Sequence, residues 1–312
     1  MVAGKEKKKA PTMIKALLRS PHFLAYLLLT LTCLFWAGNF VMGRGVSDSV
    51  PPIALSFWRW LLASLIILPF ALPHLKKDWP AIKPRLGYFF LMGLLGGASF
   101  NALTYLALHT TTATNALVLN AANALFIVLA NYAIHKLKPT KNQLLAIAIA
   151  IIGMLFIVTR GQFEQLSALR FQIGDLLVIA SMIGWALYTA FLLNRPQTHA
   201  LSFASMTFIA SAIILLPIMM FEHSLGYTIA FDQKTLLAIL YAAIFPGVLA
   251  YIFYNKGVSI IGGNRAGIVI YLMPFFGSIL GFLFLNETPH SYHFIGFALI
   301  IGGVMLSAYK KS

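Results

Sequence analysis

Residues Asn115 to Tyr132 read NALVLNAANALFIVLANY. The stretch is apolar enough and long enough to cross a bilayer, yet it carries four asparagines. At about 100° per residue, Asn120, Asn123 and Asn131 fall within an arc of about 80°, and Asn115 lies about 80° beyond Asn123. The sequence therefore predicts a membrane helix with one polar stripe. An amide facing lipid has no partner, and burying it unpaired costs roughly 1–3 kcal/mol. The stripe must face other helices or a wet cavity. It is either interhelical glue, at about 0.6 kcal/mol per bond, or the wall of a transport site, and this helix alone leaves both open.

The rest of the chain fits a membrane setting. Of its 312 residues, 60% are hydrophobic and 10% charged, with a mean hydropathy of +0.84. Soluble domains carry about 25% charged residues. A single cysteine, Cys33, excludes an intrachain disulfide. The net charge of +15 could suggest nucleic acid, but the placement of the charges argues against it.

Ten apolar spans are expected, near 23–42, 53–73, 86–108, 113–134, 142–159, 174–194, 201–221, 235–257, 264–285 and 292–309. A basic tail, KEKKK at Lys5 to Lys9, precedes them. Connections are short and leave no room for an inserted soluble domain. Following the chain through the spans, 18 of the 23 Lys and Arg fall on one side. Arg44, Arg160, Arg170 and Lys234 fall on the other, and Arg59 lies inside a span. That asymmetry places both termini in the cytoplasm. It also gives the positive charge a topological role.

The chain repeats at an offset near 150. Pro139 pairs with Pro289, Gly153 with Gly303, Ala116 with Ala266 and Phe126 with Phe276, while Trp36 pairs with Trp185 one residue short of that offset. This divides the chain into a tail (1–22) and two five-span units (23–160 and 161–312). Five is odd, so the units should lie in opposite orientations. Loop charge agrees: HKLKPTK around Pro139 is basic, whereas NETPHS around Pro289 has neither Lys nor Arg. Inverted repeats of this kind are common in secondary transporters, with the site near the midplane.

Several motifs strengthen that reading. Trp36 to Phe40 reads WAGNF, Phe57 to Trp60 reads FWRW, and Thr111 to Ala116 reads TTATNA at the entry to span four. The second unit holds Lys256-Gly257 and the turn GGNRAG, Gly262 to Gly267, before Pro274. In this order and spacing, over about residues 25 to 310, the chain resembles the EamA branch of the drug/metabolite transporter superfamily. The resemblance implies an all-α integral membrane protein of ten helices in two inverted five-helix repeats. It implies a bacterial inner-membrane exporter of small metabolites, often amino acids.

Candidate substrate-binding residues follow from depth and spacing. Trp36 and Asn39 share one face of span one, and Trp185 and Tyr188 share one of span six. Asn101 and Tyr105 lie on span three, Asn120 and Asn123 on span four, Tyr251, Tyr254 and Asn255 on span eight, and Tyr271 on span nine. Trp36, Trp185 and Tyr271 sit too deep for an interfacial aromatic belt. Arg59 lies roughly 9 Å inside span two. It either snorkels to the nearer surface or grips a substrate carboxylate or gate, as guanidinium groups do in pairs of hydrogen bonds. Pro274, central in span nine, frees a carbonyl and is a candidate hinge.

Such a set suits a neutral or aromatic amino acid moved by alternating access. A sugar-phosphate or nucleotide-sugar transporter would call for several buried cations. A membrane-embedded transferase would call for clustered acids, metal ligands or an activated nucleophile. The eight acids and eight histidines all fall in loops or at span ends, so no membrane carboxylate is expected to carry a proton. No cofactor or metal is called for. The expected partners are a small-molecule substrate and the lipid bilayer, with no nucleic acid; monomer and homodimer both remain open.

Overall fold

A computed structural model describes residues 20–46, 49–107, 123–164, 173–285 and 291–308. The basic tail through Arg19, Asn115 and Asn120 lie outside the described residues. The described residues are mostly helical, without a strand, and group into ten rods. They are α1 (Pro21–Val46), α2 (Pro52–Ile82), α3 (Leu86–Met92, Gly93–Ala98 and Ser99–Ala107), α4 (Asn123–His135) and α5 (Lys141–Val158). The second set is α6 (Ile173–Phe191), α7 (Ala200–Ser224), α8 (Gln233–Ala242, Ala243–Leu249 and Ala250–Ile261), α9 (Gly263–Val269 and Leu272–Leu285) and α10 (Ser291–Ala308). Five stretches are long and apolar enough to cross a membrane: Pro21–Gly43, Pro52–Ala107, Ile173–Asn194, Ala200–Ser224 and Gln233–Ile261. The second of these holds both α2 and α3.

The packing follows a two-fold pattern. α5 packs on α10, α2 on α7 and α4 on the first segment of α9, each joining equivalent rods of the two units. Further contacts come in matched pairs, α1 on α8 with α6 on α3, and α1 on α9 with α6 on α4. The α5–α10 seam shows the same relation in detail. A Cβ on Gly153 would stand 2.7 Å from the Gly296 carbonyl oxygen, and one on Gly303 would stand 2.8 Å from that of Ala146. Small residues there let the two backbones approach without side chains between them.

Three departures from regular helix set up the interior. In α8 the chain widens into a π-helical turn at Ala243–Leu249, around Pro246. The Ala250 amide donates to the carbonyls of Phe245 and Gly247, passing over that of Pro246. In α3 a π-helical turn occupies the equivalent place, Gly93–Ala98, where the Ser99 amide reaches back to Leu94. Such turns free carbonyls that a regular helix would consume. The third departure is the break in α9 at Ile270–Tyr271. A proline at 274 has no N–H for the carbonyl of Ile270. That carbonyl accepts from the Met273 amide at 2.9 Å instead, while the Cys33 thiol donates to the Val269 carbonyl at 3.3 Å.

α2 runs past the expected span end at Pro73 to Ile82. Its apolar run ends at Lys76, but the helix continues, docked on the start of α7. His74 and His199 stack at 3.6 Å, and the His199 amide donates to Asp78 at 2.8 Å. At its other end α2 has no side-chain cap of its own. The Glu222 carboxylate of α7 serves instead, accepting from the amides of Ile53 at 3.0 Å and Ala54 at 2.7 Å. A carboxylate is favoured there by both the unpaired amides and the helix dipole. Glu222→Ala should therefore cost about 1.5–3 kcal/mol. This should appear as a melting temperature several degrees lower in detergent, with Glu222→Gln in between; unchanged melting in both variants would contradict the assignment.

Candidate functional site

At the level of the two π-helical turns the rods leave a small, partly open cavity of about 20 Å³, room for about one water. Its wall is built from both units. α1 gives Trp36, Asn39 and Phe40, α2 gives Arg59, α3 gives Phe100 and Asn101, and α4 gives Asn123. α6 gives Trp185, α8 gives Tyr251, and the break in α9 gives Ile270 and Met273.

Arg59 is 1% exposed, which rules out snorkelling. Its Nη1 donates to Asn101 Oδ1 at 3.0 Å and to Asn39 Oδ1 at 3.4 Å. Nη2 donates to the Pro246 carbonyl at 3.1 Å, which the π-helical turn has left free. The guanidinium carbon lies 4.9 Å from the centre of the Trp60 ring, a cation–π distance. Every one of these partners is neutral. No carboxylate lines the cavity among the described residues, and Arg59 Nε has no hydrogen-bond partner. The site thus holds a buried positive charge whose Nε–H is unpaired.

Aromatic rings complete the wall and its floor. Trp36 and Trp185 meet edge to face at 4.9 Å, and Phe100 lies 5.4 Å from Trp185. Trp36 Nε1 donates to the Pro246 carbonyl at 3.1 Å, and the Tyr251 hydroxyl donates to the Gly96 carbonyl of the matching turn in α3. Trp60 Nε1 donates to Gly97 at 3.0 Å. Below this layer, toward the end of the bundle that carries Lys83, Lys138 and Arg195, described side chains form a seal across the interior. Tyr188 donates to Asn255 Oδ1 at 2.8 Å, the hydroxyls of Thr189 and Tyr254 lie 2.9 Å apart, and Asn131 donates to Asn264 at 2.6 Å.

Of the residues singled out from sequence, Trp36, Asn39, Arg59, Asn101, Asn123, Trp185 and Tyr251 come together on the cavity wall. Tyr188 and Tyr254 do not; they are fully buried in the seal beneath it. Tyr105 stands behind the wall and accepts from Asn39 Nδ2 at 3.1 Å. Tyr271 is buried at the α9 break and is not on the wall. Asn120 falls outside the described residues, and Pro274 lies in the second segment of α9, three residues past the break. Sequence reasoning missed Phe40, Phe100, Ile270 and Met273, which carry no polar signal. It also missed the Pro246 carbonyl, whose only trace is a mid-span proline at an offset of 150 from Gly96.

Ten helical rods in two matched sets around a central cavity define a multi-pass membrane transporter, and comparison with known proteins agrees. The EamA-like transporter family matches the chain twice, at residues 23–159 and 172–309, and the chain belongs to that family. An uncharacterized transporter of Archaeoglobus fulgidus is 30% identical over 290 residues, 92% of this chain and 98% of that protein. The uncharacterized transporter YyaM of Bacillus subtilis is 28% identical, over 92% of this chain and 94% of its own length. The uncharacterized inner membrane transporter YicL of Salmonella typhimurium is 27% identical, over 81% of this chain and 83% of its own. A solved crystal structure superposes with a TM-score of 0.70 at 17% identity, over 90% of this chain and 95% of that one, and speaks to the fold alone.

The asparagine stripe divides on this geometry. Asn123 Oδ1 has no hydrogen-bond partner among the described residues; Asn131 Oδ1 is likewise unpaired, but Asn131 Nδ2 donates to Asn264. Truncating Asn123 thus gives up little folded-state bonding. Asn123→Ala should keep wild-type melting behaviour and lose transport, while Asn131→Ala should lose about 1 kcal/mol of stability. Paired melting and uptake assays check this; a stability loss in Asn123→Ala as large as its transport loss would make both residues glue.

Proposed function

We propose that this protein exports small metabolites from a bacterial cell across the inner membrane, amino acids with neutral or aromatic side chains first among them. In this reading both termini are cytoplasmic. The two units are inverted relative to each other and rock about the cavity in alternating access, with the break before Pro274 as a hinge. The observation that carries the reading is Arg59, a buried cation on the cavity wall with neutral partners only and a free Nε–H. A guanidinium held this way is matched by a carboxylate, which accepts charge-assisted bonds from it. The rings of Trp36, Phe40, Phe100 and Trp185 offer an apolar or aromatic side chain its stacking surface. Asn123 Oδ1, unpaired in the fold, supplies an oxygen for an ammonium group. A sugar phosphate or nucleotide sugar fits less well, because its two or more negative charges would meet a single cation.

The test is ligand binding by purified protein, read by thermal shift and calorimetry. An aromatic amino acid should bind, and its carboxamide should bind about 10–100-fold more weakly, the worth of a charge-assisted hydrogen bond. Arg59→Lys, which keeps the charge but not the fork, should lose a comparable factor and melt somewhat lower, since one ammonium cannot keep the bonds to Asn39, Asn101 and Pro246 together. Equal affinity for acid and amide would overturn the carboxylate reading.

A further inference from the structure

The two units carry the same parts but bond them differently. Trp36 on α1 and Trp185 on α6 are repeat mates, as are the π-helical turns of α8 and α3, with Pro246 standing where Gly96 stands. In one half, Trp36 Nε1 donates across the unit boundary to the Pro246 carbonyl at 3.1 Å. In the other half the equivalent bond would run from Trp185 Nε1 to the Gly96 carbonyl. It is not made: Trp185 Nε1 approaches the Tyr254 hydroxyl, without a bond in good geometry, and the Gly96 carbonyl accepts from Tyr251 instead. The hydroxyl of Tyr254, whose ring lies 5.0 Å from that of Trp185, is within bonding distance of Thr189. A second matched pair shows the same asymmetry. Asn39–Tyr105 and Tyr188–Asn255 are the same clasp with Asn and Tyr exchanged, at offsets of 149 and 150. The Tyr188–Asn255 clasp is buried in the seal at the basic end, whereas Tyr105 is only partly buried.

An unmade bond at an occupied acceptor is what an inverted repeat leaves behind when each unit holds one of two conformations. When the units exchange conformations, the bond patterns exchange with them. We propose that Trp36 and Trp185 are reciprocal switch residues: in the second state Trp185 donates to the Gly96 carbonyl, displacing Tyr251, while Trp36 releases Pro246 and the Tyr188–Asn255 clasp at the basic end opens. This rests on the alternating-access reading above, but not on the identity of the substrate. The exchange also reaches the binding site. Pro246 is shared by Trp36 and Arg59, so release by Trp36 leaves that carbonyl to the guanidinium alone.

The test uses cysteine accessibility in full-length protein in liposomes, without substrate, so that it succeeds or fails separately from ligand binding. In a Cys33→Ala background, Val258→Cys reports opening at the basic end, where Val258 is buried. Trp36→Phe removes a bond of the present state and should raise labelling of that cysteine by an impermeant maleimide about fivefold, the shift one hydrogen bond gives. Tyr251→Phe should act in the same direction. Trp185→Phe removes the bond of the second state, giving up in the present one only a poorly aligned approach to Tyr254, and should lower labelling by a similar factor. The benzothiophene analogue of Trp185 keeps the ring shape without the N–H, and should do the same if the phenylalanine variant packs poorly. Labelling that moves in one direction in both tryptophan variants, or in neither, would overturn the exchange.

Discussion

A guanidinium taken out of water costs several kcal/mol unless its surroundings replace the lost solvent. Arg59 meets that demand with three neutral oxygens and the face of a tryptophan. Much of the interior is arranged to supply them. Asn39 and Asn101 turn their side-chain oxygens toward it from α1 and α3. The Pro246 carbonyl comes from the other unit, and is free because α8 widens by a residue at that turn. The cation thus ties α2 to α1, α3 and α8, and any movement of one unit against the other must carry or break these bonds. Neutral partners satisfy hydrogen bonds but leave the charge uncancelled, and the proposed carboxylate of the substrate answers that remainder.

The two π-helical turns give the interior its second constraint. A helix crossing lipid ordinarily keeps its backbone polar groups to itself. Here the freed carbonyls in α3 and α8 become acceptors for the indoles of Trp36 and Trp60, the phenol of Tyr251 and the Arg59 guanidinium. Backbone that is polar at membrane depth is tolerated because it faces protein and cavity. The same turns place aromatic side chains of one unit against the backbone of the other, so the site is assembled only when the two units meet.

Much of this was legible in the sequence, for physical reasons. Span count follows from the length an apolar helix needs, and the repeat from punctuation that both units share. Asn39, Asn101 and Asn123 were found because an amide in an apolar run needs a partner. Depth was harder to read. Tyr188 and Tyr254 share helical faces with Trp185 and Tyr251, yet lie about one turn nearer the basic end, in the seal. Periodicity gives a face without saying where along it the cavity stops. The snorkelling alternative for Arg59 failed because its acceptors come from segments remote in the chain. The expected end of α2 at Pro73 failed because contacts with α7 carry the helix past Lys76. Apolar wall residues such as Phe100 and Met273 look like any other core residue until the fold places them.

In the proposed reading the substrate, rather than a protein carboxylate, is the counter-charge to Arg59. The two buried acids whose packing is described sit in terminal turns, Asp175 at the start of α6 and Glu222 capping α2. Counterflow of a labelled aromatic amino acid in proteoliposomes, with and without an imposed proton gradient, tests this most directly. The account predicts exchange at the same rate in both conditions, and its loss in Arg59→Lys. Exchange that occurs only under the imposed gradient, and that disappears on neutralising Asp175 or Glu222, would contradict it.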